Sequence, residues 1–152
     1  MKFSNLILKT FINTDLKKDI LFLKNVDVLR ELSTLQLKKI RVHMYKKTYM
    51  QKEIIYKEGQ EAKLICIVKS GKIELNNDKN KQILQKRDLF GKKYLFNNNE
   101  IYPYTSIALE DSEIFLIHKD DIETLVEKDK SIGFKMFKHT LNMLYKREQN
   151  ER

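Results

Sequence analysis

Cysteine and proline occur once each in this chain of 152 residues, arginine only five times, and nowhere does an apolar run approach a bilayer's thickness. Each shortage excludes something. Cys66 alone cannot close an internal disulfide, so the chain is not a small secreted scaffold held by bridges, and it fits a reducing compartment. The thiol falls inside the apolar run Leu64-Ile65-Cys66-Ile67-Val68, which predicts a buried structural cysteine rather than a reactive one. The roughly 18 consecutive apolar residues that a spanning helix needs are missing. The opening MKFSNLILKTFINTD is interrupted by Lys9 and is followed by no small-residue cleavage site, so it does not read as a secretory signal. The expected location is the cytoplasm, with no membrane partner.

Catalytic signals are equally scarce. The three histidines, His43, His118 and His139, stand far apart, and no His-x-x-x-His or Cys-x-x-Cys pair offers metal-ligand spacing. His43 and His118 fall in predicted strands and His139 in a predicted helix. No nucleophile motif is present. The expectation is a protein that is not an enzyme and needs no cofactor or metal. Internal repeats and long linkers are also lacking, and the length suits one domain with a core that needs no disulfide.

What the chain has is lysine. The net charge is +9, from 30 basic and 21 acidic residues. Such a balance attracts nucleic acid or anionic lipid, but the lysines are scattered, and specific phosphate binders favour arginine forks. Electrostatic nucleic-acid binding therefore stays open as a minor reading.

The hydrophobic pattern divides the chain into three zones. Residues 1 to about 41 are helical in pattern, with Phe3, Leu6, Ile7 and Phe11 at helical spacing. Ser33 followed by Gln36 fits a capping box before a short helix over LQLKKI. From about 42 to 118 the period changes. HMYKKTYM, EIIY, KLICIVKS, KIEL, QILQ, SIAL and EIFLIH read as short strands separated by turn residues, the signature of a sandwich or barrel. KLICIVKS is apolar enough for burial on both faces, and KIEL alternates, with Ile73 and Leu75 on one face. The last zone is helical again, opening on Asp120 and Asp121 before IETLVEK. In the helix expected from Ser131 onward, Phe134, Phe137, Leu141 and Leu144 recur at heptad-like spacing. They are either the face packed on the chain's own barrel or the seam of a homodimer.

The stretches FLKNVDVLRELSTLQLKKI, EIIYKEGQ, LICIVKSGKIEL, RDLFGKKYLF and TSIALEDSEIFLIHKDDIETLVEKD stand in an order that resembles the cyclic nucleotide-binding domain family. The family includes catabolite-activator-like regulators, regulatory subunits of cyclic-nucleotide kinases and gated channels. The resemblance covers about residues 20 to 145, and Gly59, Gly71 and Gly91 fit the family's turns. It implies a mainly β fold with flanking helices (α+β): an eight-stranded, jelly-roll type β-roll, with N-terminal helices and a C-terminal helical pair from about residue 119. On this reading 1–19 is an N-terminal helical extension and 20–152 the β-roll with its helices.

The resemblance also places a phosphate-binding cassette at DLFGKKYLFNNNEIYPYTS, residues 88 to 106. Its candidate ligand-binding residues are Phe90, Gly91, Lys92, Lys93, Tyr94, Leu95, Tyr102, Pro103 and Tyr104. In the family, amides at a helix start hold the cyclic phosphate, an arginine forks onto its oxygens, and a glutamate accepts from the ribose 2′-hydroxyl. Here Lys92 follows Gly91 where the family has the glutamate. Tyr102 stands at the arginine's position, and Pro103 where Ser or Thr is usual. Lysine carries no acceptor and proline no N–H. Two lost charge-assisted hydrogen bonds, at about 1.5–3 kcal/mol each, amount to roughly two to four decades of affinity.

The expected function is a stand-alone regulatory module that does not take cyclic AMP or cyclic GMP in the usual way and acts through a protein partner or a homodimer. The alternative is a sensor in which Lys92, Lys93, Tyr94, Tyr102 and Tyr104 line a remodelled pocket for another nucleotide or anionic ligand. Catabolite-activator-like regulators carry a helix-turn-helix domain after the long helix. With the chain ending at Arg152, specific DNA reading of that type is not expected.

Overall fold

A computed structural model describes residues 14–91 and 101–150. The helical pattern at Phe3, Leu6, Ile7 and Phe11 lies outside them. The chain divides into two compact units: residues 1–41 with 130–152, and residues 42–129.

The helical unit begins with α1, whose described part is 14–24, followed by a short 3-10 turn over Asp27–Leu29 and by α2 (Thr34–Arg41). The capping box at the start of α2 forms as its residue types predict. The Gln36 amide donates to Ser33 Oγ at 3.2 Å, and the Ser33 amide donates to Gln36 Oε1 at 3.0 Å. The same Gln36 reaches α4 (Lys130–Asn150): its Nε2 donates to Ser131 Oγ at 2.7 Å, and Lys135 Nζ donates to its Oε1 at 2.9 Å. Leu23, Leu29, Leu32, Leu37, Ile40 and Ile132 of this unit are fully or almost fully buried. The boundary expected between residues 19 and 20 falls inside α1.

The second unit is the β-roll. Eight strands among the described residues form two antiparallel four-stranded sheets. One sheet has the order β1 (Tyr45–Tyr49), β8 (Ser112–His118), β3 (Leu64–Ser70), β6 (Leu89–Gly91). The other has the order β2 (Ile54–Tyr56), β7 (Thr105–Ala108), β4 (Ile73–Asn76), β5 (Lys81–Leu84). The helix α3 (Lys119–Lys128) follows β8 directly and packs on it, with Asp120 and Asp121 in its first turn. Strand periodicity sorts the side chains. Cys66 and Val68 of β3 and Ile114 and Leu116 of β8 face the roll's interior and meet Ile73, Leu75, Leu84 and Ala108 of the other sheet. Alternating with them in sequence, Ile65, Ile67, Phe115 and Ile117 are buried as well, so β3 and β8 are covered on both faces.

One local reading, that of His43, needs correction, and two further features had no reading in the sequence. The stretch Leu89–Gly91 is a strand, although it shows no alternation. Three residues are too few to carry a period, and it is the register Ile65↔Gly91, Cys66↔Phe90 that defines it. His43 lies in the turn after α2, ahead of β1. In β4 Glu74 is buried along with Ile73 and Leu75. Lys81 Nζ, at 2.6 Å, and the Asn76 amide hold its carboxylate below the usual range.

Candidate functional site

Phe90 and Gly91 close the strand β6. Phe90 is buried in the roll's interior, and Gly91 has φ +82°. A side chain at Gly91 would be strained by that backbone, and its Cβ would run into the Leu64 carbonyl oxygen of the neighbouring strand. Gly71, at φ +89°, similarly lets the β3–β4 turn pass over Ser112. Lys92, Lys93, Tyr94 and Leu95 lie outside the described residues.

Tyr102 is 3% exposed, and its ring forms part of the interior cluster. It stacks on Tyr56, centroid to centroid at 3.7 Å with 14° between planes. Tyr56 in turn lies 6.0 Å from the Phe90 ring. The Tyr102 hydroxyl oxygen accepts from two backbone amides at the start of β3, Leu64 at 2.9 Å and Lys63 at 3.2 Å. Its backbone is tied as well: the Tyr102 amide donates to the Gln60 carbonyl, and the Gly59 amide donates to the Tyr102 carbonyl, both at 2.9 Å. Gly59 makes that turn with φ +80°. Pro103 is exposed, and its carbonyl accepts from Asn77 Nδ2 at 3.0 Å. Tyr104 is half-buried against the same interior cluster. Of the described candidates, Phe90, Tyr102 and Tyr104 therefore come together around the roll's interior, while Pro103 faces out.

The environment is apolar. Burial raises the Tyr102 phenol pKa, partly offset by the two amides it accepts from. Burial also pushes Tyr49, on β1, up to about 12, and drives Tyr56 and the Cys66 thiol well above their ordinary ranges. All four groups are neutral near pH 7, so among them they supply ring faces and hydrogen bonds but no charge. Among the described residues no group of three or more His, Cys, Asp or Glu side chains could hold a metal ion.

Sequence reasoning singled out Tyr102 but not its partners. Tyr56 carried only a strand signal. Lys63 and Leu64 act through backbone amides, which leave no mark on residue type.

The profile of the family described as "Cyclic nucleotide-binding domain" matches residues 46–129, more than half of the chain. The anaerobic regulatory protein of Bacillus subtilis is 29% identical over 101 residues, covering 62% of this chain and 40% of that protein. The chain thus spans about two-fifths of that relative's length. Among solved structures, the sensor domain of the transcriptional regulator DNR from Pseudomonas aeruginosa superposes with a TM-score of 0.69 at 15% identity, covering 85% of this chain and 95% of that one. The catabolite activator protein of Thermus thermophilus gives a TM-score of 0.66 at 17% identity, covering 82% and 61% of the two chains. These two likenesses carry the fold. With the matched profile and the two four-stranded sheets, they lead to one conclusion: the chain belongs to the cyclic nucleotide-binding domain family.

Proposed function

We propose that this chain is a regulatory module whose β-roll does not take cyclic AMP or cyclic GMP in the family's usual manner, and that it acts through protein contacts. The observation that carries this reading is the position of Tyr102, buried in the interior where the resemblance puts a phosphate-binding arginine. Moving that ring out would break a stack and remove the acceptor of two amides. Deleting a buried aromatic of this kind costs about 3–5 kcal/mol. A ligand that must displace it loses roughly two to four decades of affinity.

The long helix α4 supports the protein-contact half. It buries Ile132, Gly133 and Met136, while Phe134 (67%), Phe137 (44%), Leu141 (49%) and Leu144 (47%) remain exposed at heptad-like spacing. We assign this seam to a homodimer. Sedimentation velocity should give a dimer that Leu141→Glu with Leu144→Glu converts to a monomer; a monomeric parent protein refutes the assignment. A regulatory role also accords with the family, which is not an enzymatic one. The single buried thiol supports a cytoplasmic location, and among the described residues no helix is long and apolar enough to cross a membrane.

The ligand half is tested by a thermal-shift panel of nucleotides and phosphorylated metabolites. At about 10 μM nucleotide, no stabilisation by cyclic AMP or cyclic GMP is expected. Stabilisation by one of them refutes the reading, and stabilisation by a different anion favours the remodelled-pocket alternative.

A further inference from the structure

The helical unit holds a groove that the sequence did not announce. It lies along α1 and α2 and encloses about 350 Å³. Leu37 and Ile20 are its buried floor, and Leu21, 68% exposed, stands at its wall. Lys17, Lys24 and Lys38 line it as well, and among the described residues no acidic side chain lines it. Lys24 is anchored, its Nζ donating to the Leu32 carbonyl at 2.5 Å. The volume suits a few inserted side chains, and the exposed Leu21 leaves the groove open to solvent rather than closed around a small molecule.

The charges sort the occupants. Residues 1–13 contain Lys2 and Lys9 and no acid, so they would bring like charge to the lysines. The α4 helix of a second copy would do the same, because it carries five Lys and Arg side chains against one acid, Glu148. We propose that this groove docks an amphipathic helix of a partner protein, with an apolar ridge at helical spacing flanked by Asp and Glu. The ridge would enter over Ile20, Leu21 and Leu37, and the carboxylates would meet Lys17 and Lys38. The inference names a partner surface for the protein-contact reading above but does not depend on the ligand state of the β-roll, so the two can fail separately.

The test uses a labelled synthetic helical peptide of about 16 residues, with Leu at the i, i+3, i+4 and i+7 positions and Glu on both flanks, and a twin with Lys in place of Glu. Fluorescence anisotropy with the full chain should show the acidic peptide binding at least roughly tenfold more tightly than its twin, an advantage that shrinks in high salt. Leu21→Glu should weaken the acidic peptide about tenfold, and Lys17→Glu with Lys38→Glu should reverse the preference in favour of the twin. No binding of the acidic peptide at about 1 mM, or equal binding to the parent and charge-reversed proteins, overturns the proposal. Binding of dodecanoate in place of the peptide also overturns it and assigns the groove to a small amphiphile.

Discussion

The rings of Tyr102 and Tyr56 lie face to face, 3.7 Å apart with 14° between their planes. Tyr56 belongs to one sheet and touches Phe90 of the other, so the pair stands in the space the two sheets enclose. The Tyr102 hydroxyl then fastens the stack to the amides of Lys63 and Leu64. Tyr102→Phe keeps the stack and leaves both amides without that acceptor, a loss of about 1–3 kcal/mol. Tyr102→Ala removes the ring as well and should cost about 3–5 kcal/mol. Urea denaturation gives the ordering, and hydrogen exchange should show faster exchange at the Lys63 and Leu64 amides in Tyr102→Phe. Unchanged exchange at both would contradict the assigned hydrogen bonds.

Two glycines with nearly the same backbone should respond differently to alanine. Gly59 (φ +80°) has nothing within 4 Å of a built Cβ, so Gly59→Ala carries only the left-handed penalty, about 1–2 kcal/mol. Gly91 (φ +82°) carries that penalty plus a collision with the Leu64 carbonyl. Gly91→Ala should therefore be the more destabilising of the two in thermal and urea unfolding. Equal losses would mean that β3 and β6 part easily.

The buried phenols set an alkaline limit. Tyr49, at about 12, and Tyr102 have folded-state pKa values above the ordinary phenol value of 10.0. Their contribution is complete below pH 10.0, where they are neutral in both states. As pH rises above 10.0 it falls, for Tyr49 up to about 12, because the unfolded chain ionises first. The buried Cys66 thiol acts in the same direction from its ordinary value of 9.0 upward. Stability from urea curves should be lower at pH 11 than at pH 9, and a spectrophotometric titration should show some phenols ionising only as the protein unfolds. Independence of stability from pH across that window would contradict the burial of these groups.

Gln36 joins the α2 cap to α4, so its loss should exceed that of the cap alone. Ser33→Ala removes one capping acceptor and should cost about 0.5–2 kcal/mol. Gln36→Ala removes the reciprocal bond to the Ser33 amide and also the contacts to Ser131 and Lys135. Unfolding of Gln36→Ala should come at lower urea than that of Ser33→Ala; the reverse order would confine Gln36 to its own helix.

Legibility in the sequence followed the range of the interactions. The capping box could be read because its two partners sit three residues apart and residue type alone defines the bond. The apolar run of β3 could be read because burial on both faces leaves no polar position. Leu89–Gly91 could not, since a three-residue strand is defined by its neighbour's register. Ile73 and Leu75 share the interior face as alternation implies, whereas the burial of Glu74 between them depends on an ion pair with Lys81, diagonally across on β5. At the candidate site, position identified Tyr102 but not the direction of its side chain. That direction is set by amides 38 and 39 residues away and by a ring on β2. The α1–α2 groove escaped notice because helical periodicity assigns faces and does not reveal where two faces fail to close.

Isothermal titration calorimetry of the purified chain with cyclic AMP and with cyclic GMP addresses the filled β-roll most directly. With Tyr102 held in the interior, either nucleotide should bind no more tightly than about 0.1 mM. A one-to-one isotherm with a dissociation constant near 1 μM would show that the ring gives way at little cost, and would contradict the reading.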